Sequence, residues 1–219
     1  ILTGSVKINS IFGALLIEVN PQLMPNWQRT LKRVFDLNFS LLAIFLLSPV
    51  FILLSILIKM GSNGAIIYKQ ERIGLNGAPF YIYKFRSMYT DSEKNGPQLS
   101  SKYDSRITKI GKLMRKSRLD ETPQFFNVLK GNMSIVGPRP ERQHYIDKII
   151  EKAPHYKHIK KVKPGITSWG QVKYGYAENV DQMVARLKFD LLYVENMSLI
   201  LDFKILFYTI IIMLKGSGK

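Results

Sequence analysis

Two carboxylates stand side by side at Asp120 and Glu121, within Arg118-Leu119-Asp120-Glu121-Thr122-Pro123-Gln124. The cations Arg115, Lys116 and Arg118 lie just upstream. Adjacent acids in so basic a setting have two chemical uses. One carboxylate serves as a nucleophile. The other holds magnesium, which takes one or two protein carboxylates and fills its shell with substrate phosphates. At the ordinary aspartate pKa of about 3.9, Asp120 is expected to be ionised at neutral pH without a general base. The plain alternative is charge complementation at a helix end. Thr122 is a good N-cap, Pro123 suits the first helical position, and Gly131 would close the helix.

Other cations sit where an anion could be held. In Gly137-Pro138-Arg139-Pro140 two prolines fix the backbone around one guanidinium, whose planar fork suits a phosphate. A simple turn before the next helix explains the same residues. Lys84-Phe85-Arg86-Ser87-Met88 follows a predicted strand and suits either a nucleotide or an exposed sheet edge. Lys163-Pro164-Gly165-Ile166-Thr167 and Trp169-Gly170-Gln171-Val172 read as a loop with an indole able to stack. His144, His155 and His158 show no metal-ligand spacing with carboxylates and are expected to be structural or solvated.

These residues need elements to position them. Ile66-Ile67-Tyr68 and Phe80-Tyr81-Ile82-Tyr83 read as strands joined through Ile73-Gly74-Leu75-Asn76-Gly77. Helices are expected at 107–117, 123–130, 140–152 and 180–196. Ile11 to Val19 reads as one short strand before an Asn20-Pro21 turn. The fold class expected is α/β, mostly helical with a small β-element.

The loudest feature is Leu37 to Ile58, 22 residues without a charge, long enough for a membrane helix. Ser48 and Pro49 break it in the middle. Proline removes one backbone hydrogen bond, and a serine hydroxyl can occupy the freed carbonyl. Each half is roughly 16 Å of helix, about half the hydrocarbon thickness. Both flanks are basic, with Lys32 and Arg33 on one side and Lys59, Lys69 and Arg72 on the other. Basic flanks favour the cytoplasmic side, so a re-entrant helix that returns to its own side is expected. Ile205 to Leu214 is too short to span and reads as a buried or interfacial helix. With Phe189, Leu191, Leu192, Tyr193 and Val194 it is expected either to lie against the membrane or simply to close the core.

Composition narrows the partners. The 219 residues carry a net charge of +16, and 46% are hydrophobic, so the chain is neither disordered nor polytopic. The charge calls for anionic partners: nucleic acid, anionic lipid or phosphorylated small molecules. The uncharged run argues against nucleic acid. There is no cysteine, hence no disulfide and no thiolate metal site. The first residue is Ile1, which reads as a fragment or processed product.

In this order the pieces resemble the bacterial sugar transferase family, the monotopic phosphoglycosyl transferases. The likeness runs from Lys32 to about Leu214. It includes Lys32-Arg33-Val34-Phe35-Asp36, the Ser48-Pro49 break, Gln70-Glu71-Arg72-Ile73-Gly74 and Lys84-Phe85-Arg86-Ser87-Met88. It continues through Leu119 to Gln124, Asn127 to Gly131, Val136 to Pro140 and Lys163 to Thr167. Where the family commonly has Gly-Trp before Gln-Val, this chain has Ser168-Trp169, with Gly170 for the usual alanine.

The resemblance implies transfer of a sugar 1-phosphate, a simple hexose such as glucose or galactose, from a UDP-sugar to polyprenyl (undecaprenyl) phosphate. By resemblance Asp120 is the nucleophile and Glu121 a Mg2+ ligand, with Lys84, Arg86, Arg115, Gln124 and Arg139 on the substrate. It implies an anchor at the bacterial inner membrane with the active site facing the cytoplasm, and larger members make a homodimer an option. It divides the chain into the tail of a preceding domain at 1–30, a re-entrant helix at 31–60 and a catalytic domain at 61–219. The rival readings are a membrane-anchored phosphatase using Asp120, or a non-enzymatic basic membrane adaptor.

Overall fold

The computed structural model describes residues 6–11, 14–19, 23–92, 96–99 and 104–215. It is mostly helical, with three small two-stranded sheets among the described residues. Strands β1 (Val6–Ile11) and β2 (Ala14–Val19) pair antiparallel. The single strand expected over Ile11 to Val19 is thus two: Ile11 belongs to the first, which pairs with the second along its whole length.

Helix α1 (Asn26–Gly61) contains the entire uncharged run. Among the described residues it is the one helix long and apolar enough to cross a membrane. A soluble core helix would be covered, yet Leu41, Leu42, Phe45, Leu46, Ile52 and Leu53 are exposed. Pro49 lies inside the helix. The carbonyl it leaves without an amide, four residues back, belongs to Phe45, and Ser48 Oγ donates to that oxygen at 2.8 Å.

Both ends of α1 dock on the rest of the chain. At the start, Lys32 pairs with Asp202 at 2.6 Å, and Asp36 accepts from the Ile135 amide at 3.1 Å. Arg33 caps the last carbonyls of a later helix, at Val128 and Leu129. Lys32 and Arg33, the basic flank of the uncharged run, are thus engaged by protein groups. Toward the other end, Leu54 and Ile58 are buried with Phe85 and Met114.

The expected hairpin forms from β3 (Ile67–Ile73) and β4 (Pro79–Phe85), with Ile67 opposite Phe85. Its turn places Asn76 and Gly77 at positive φ, a conformation that asparagine tolerates and glycine favours. Helices α2 (Lys109–Ser117) and α3 (Gln124–Leu129) follow. Next come β5 (Ser134–Val136), α4 (Gln143–Lys152) and β6 (Gly165–Thr167), then α5 (Trp169–Lys173), α6 (Val180–Glu195) and α7 (Leu199–Leu214). The main core is built around Val128, Met133, Ile146, Ile149, Val194 and Ile205.

Two expectations fail here. Lys163 to Val172 is not a loop: β6 pairs parallel with β5, and α5 follows, capped by Ser168 Oγ on the Gln171 amide. The Trp169 ring lies 6.1 Å from Tyr208 and carries Lys173 on its face at 4.8 Å, so its stacking partners are protein groups. Second, Thr122 is no N-cap. It is helical, and its hydroxyl donates back to the Leu119 carbonyl at 2.7 Å.

Candidate active site

Asp120 and Glu121 occupy a 3-10 turn, Leu119–Glu121, between α2 and α3. Arg118 starts it in the left-handed region, at φ 57, which reverses the chain at the end of α2. The pair directly precedes a helix start, as expected: α3 begins three residues after Glu121, and the side chains of Lys84, Arg115, Arg118 and Arg139 add positive charge around it. Both carboxylates are buried. Lys84 on β4 donates to Glu121 Oε1 at 2.8 Å, and Arg139 reaches the same oxygen at 3.5 Å.

Local packing fixes both cations. The Asn127 side chain donates to the Tyr81 carbonyl at 2.7 Å and accepts from the Tyr83 amide at 3.0 Å. That clip ties α3 to β4 and sets Lys84 over the acidic turn. Arg139 follows a close backbone crossing, where the Gly165 amide donates to the Pro138 carbonyl at 2.9 Å. A Cβ on Gly165 would stand 2.1 Å from the Gly137 nitrogen, so the crossing needs glycine. Tyr176 stacks on both guanidiniums, with Arg118 at 5.4 Å and Arg139 at 5.7 Å from its ring centre.

Asp120 lines a cavity of about 330 Å3 together with Lys84, Arg86, Arg115 and Arg139. Gln124 is buried on the first turn of α3 and is not among the lining residues. Of the Arg86 side chain, Nη2 donates to the Ser62 carbonyl and hydroxyl, while Nε and Nη1 are buried without a partner.

The electrostatics separate the two acids. Burial, and then the neighbouring Glu121 charge, pushes the Asp120 carboxyl up to about 6, against the pull of Lys84, Arg115 and Arg118. Asp120 is therefore not the unperturbed aspartate its sequence neighbours suggest. Burial also opposes the Glu121 charge, but Lys84, Arg139 and Arg118 outweigh it and hold that carboxyl well below the usual range. Burial lowers Lys84, and Glu121 offsets part of that shift.

The acidic turn suits a hard cation. Glu121 Oε2 is buried without a hydrogen-bond partner, an oxygen placed to ligate. No cluster of three or more metal-binding side chains occurs among the described residues. An ion here would draw its remaining ligands from phosphate and water, as magnesium does.

Sequence reasoning missed Glu141. Buried in the cavity wall, it pairs with Arg72 at 3.1 Å and with Arg186 through its other oxygen. Both guanidiniums line the same cavity. Only its place after Pro140 marked it. Glu141→Gln keeps the shape but removes the charge that neutralises two buried cations. A loss of about 2 kcal/mol is expected, read as a lower midpoint in chemical denaturation.

The chain thus combines a long, exposed apolar helix with a buried acidic pair walled by cations. The chain belongs to the bacterial sugar transferase family, whose model matches residues 27–216. It is 42% identical over 99% of its length to a UDP-N-acetylgalactosamine-undecaprenyl-phosphate N-acetylgalactosaminephosphotransferase of Aeromonas hydrophila, covering 51% of that protein. It is 39% identical over 93% of its length to a UDP-glucose:undecaprenyl-phosphate glucose-1-phosphate transferase of Escherichia coli K12, covering 44%. The chain thus spans about half the length of these curated relatives. It also covers 98% of an exopolysaccharide production protein of Rhizobium leguminosarum, at 38% identity.

Proposed function

We propose that this chain transfers a sugar 1-phosphate, of a hexose or N-acetylhexosamine, from a UDP-sugar to polyprenyl phosphate. The two relatives named for such transfers to undecaprenyl phosphate support that substrate pair. The observation that carries the reading is Asp120 on the wall of a cation-lined cavity, with Glu121 locked behind it by Lys84 and Arg139.

A carboxylate oxygen of Asp120 attacks the sugar-linked phosphorus of the donor. The bond from that phosphorus to the bridging oxygen breaks, and UMP leaves with the bond's electrons. The product is an acyl phosphate, a phosphosugar on Asp120. A phosphate oxygen of the polyprenyl acceptor then attacks the same phosphorus, and the aspartate leaves as a carboxylate. Two anions must meet in each step, and Lys84, Arg115 and Arg139 offset that repulsion and stabilise the transferring group. Glu121 would hold magnesium through Oε2, and the ion would supply further charge neutralisation on the donor phosphates.

Helix α1 brings this chemistry to the lipid. Its ends dock on one polar, basic body, through Lys32, Arg33 and Asp36 at the start and Leu54 and Ile58 toward the finish. A polar body stays on one side of a bilayer, so both ends belong to the same face. This supports a re-entrant path with its break at Ser48-Pro49. Exposed Ile200, Phe203, Phe207, Ile210 and Leu214 give α7 an apolar side for the interface. A UDP-sugar donor drawn from the cytosol is in keeping with a site on the cytoplasmic face of the inner membrane.

Exchange of labelled UMP into UDP-sugar without polyprenyl phosphate is the direct test. A preparation that turns over but shows no exchange would require a ternary mechanism. The Asp120 environment adds a pH prediction. The nucleophile must be ionised, so kcat/KM falls as pH drops through about 6 and then by about tenfold per further unit. A flat profile from pH 7.5 to pH 5 would exclude that titration.

A further inference from the structure

A second cavity, of about 440 Å3, lies where α1 ends against the start of α2. Leu57, Ile58 and Met60 give it an apolar wall, and Lys109 and Ile110, the first residues of α2, line it too. Arg86 and Tyr89 line both this cavity and the one that holds Asp120.

Arg86 is 7% exposed and leaves Nε and Nη1 without partners. Buried donors with nothing to bond are costly, and a guanidinium presents them in the planar fork that phosphate fits. The start of α2 adds to this. Thr108 accepts the Gly111 amide on its hydroxyl and the Lys112 amide on its carbonyl. The amides of Lys109 and Ile110 come before them, at the positive end of the helix.

We propose that this second cavity receives the phosphate and first isoprene units of the polyprenyl phosphate acceptor, with Arg86 gripping the phosphate where the two cavities meet. The assignment rests on the transferase reading above. A soluble anion would gain nothing from Leu57 and Met60, whereas an isoprenoid chain continues from them along the exposed apolar turns of α1. The acceptor oxygen has to reach the phosphorus carried by Asp120, and Arg86 and Tyr89, which line both cavities, make them immediate neighbours.

The sequence has no cysteine, so Met60→Cys introduces one thiol at a position that is 80% exposed. In phosphatidylcholine vesicles, polyprenyl phosphate should slow maleimide labelling of that thiol by about fivefold or more. Inorganic phosphate, polyprenol and phosphatidylglycerol should not. Equal protection by phosphatidylglycerol would make this a general anionic-lipid site, and no protection would remove the site altogether; either outcome overturns the proposal.

Lys109→Glu provides a second arm. Lys109 is exposed at the first position of α2, where an acid favours the helix, so loss of fold is not expected. The KM for polyprenyl phosphate should rise about tenfold while UMP exchange changes less than about twofold. An unchanged acceptor KM, or an equal loss in exchange, would overturn it. Failure of the transferase reading would show separately, as absent UMP exchange in the unmodified chain, with the labelling result still readable.

Discussion

Asp120→Asn abolishes UMP release and UMP exchange, by about 10³-fold or more, while the protein melts at the same or a higher temperature. The amide has nearly the same shape and fits the same turn. It lacks the anionic oxygen that would form the acyl phosphate. The stability half follows from sign. In the fold the carboxyl titrates near 6, above its ordinary value of 3.8, because burial and Glu121 disfavour the charged form. At neutral pH the ionised Asp120 therefore weakens the folded state, and a neutral side chain relieves that strain. A residue kept for structure would show the reverse, losing stability along with activity. Release of UMP from a UDP-sugar, measured beside a thermal melt, reads both halves. Full turnover in Asp120→Asn would remove the covalent route.

Much of this site was legible in the sequence because its parts are local. The acidic pair is two adjacent residues, the hairpin announces itself by alternation and an Asn-Gly turn, and the long apolar helix is a single uncharged run. Even the serine before Pro49 behaves as its chemistry dictates, filling the Phe45 carbonyl. What escaped is non-local. Glu141 draws its meaning from Arg72 and Arg186, far away in sequence and brought together only by folding. The same holds for Tyr176, whose ring finds Arg118 and Arg139. The parallel pairing of β5 with β6 was hidden because three-residue strands carry no periodicity. Thr122 misled for a related reason: Thr-Pro reads as a helix start, but the 3-10 turn before it already runs into α3 and uses the hydroxyl internally. The Asp120 pKa could not be read from neighbours in sequence, since burial sets it and burial is a property of the fold.

Glu121→Gln is the companion experiment, and it separates the two acids. Activity should fall by about 10²–10³-fold, and the melting temperature should fall as well, the opposite of the Asp120→Asn result. Glu121 is held ionised by Lys84, Arg139 and Arg118 in spite of its burial, so its charge stabilises the fold at neutral pH. An amide leaves Lys84 and Arg139 buried beside a neutral group. The cost is of the order of 3 kcal/mol, or roughly 6–12 °C for a domain of this size. Lys84 is already lowered by burial, with Glu121 holding part of its proton affinity. Without that anion it loses its proton at a lower pH and ceases to offset the phosphate charge in the alkaline range. The alkaline limb of the residual activity should therefore move to lower pH. The magnesium concentration needed for half-maximal rate should rise as well, because the amide nitrogen or oxygen is a poorer ligand than Oε2. A melt unchanged by Glu121→Gln would mean that Lys84 and Arg139 are held by something other than this carboxylate.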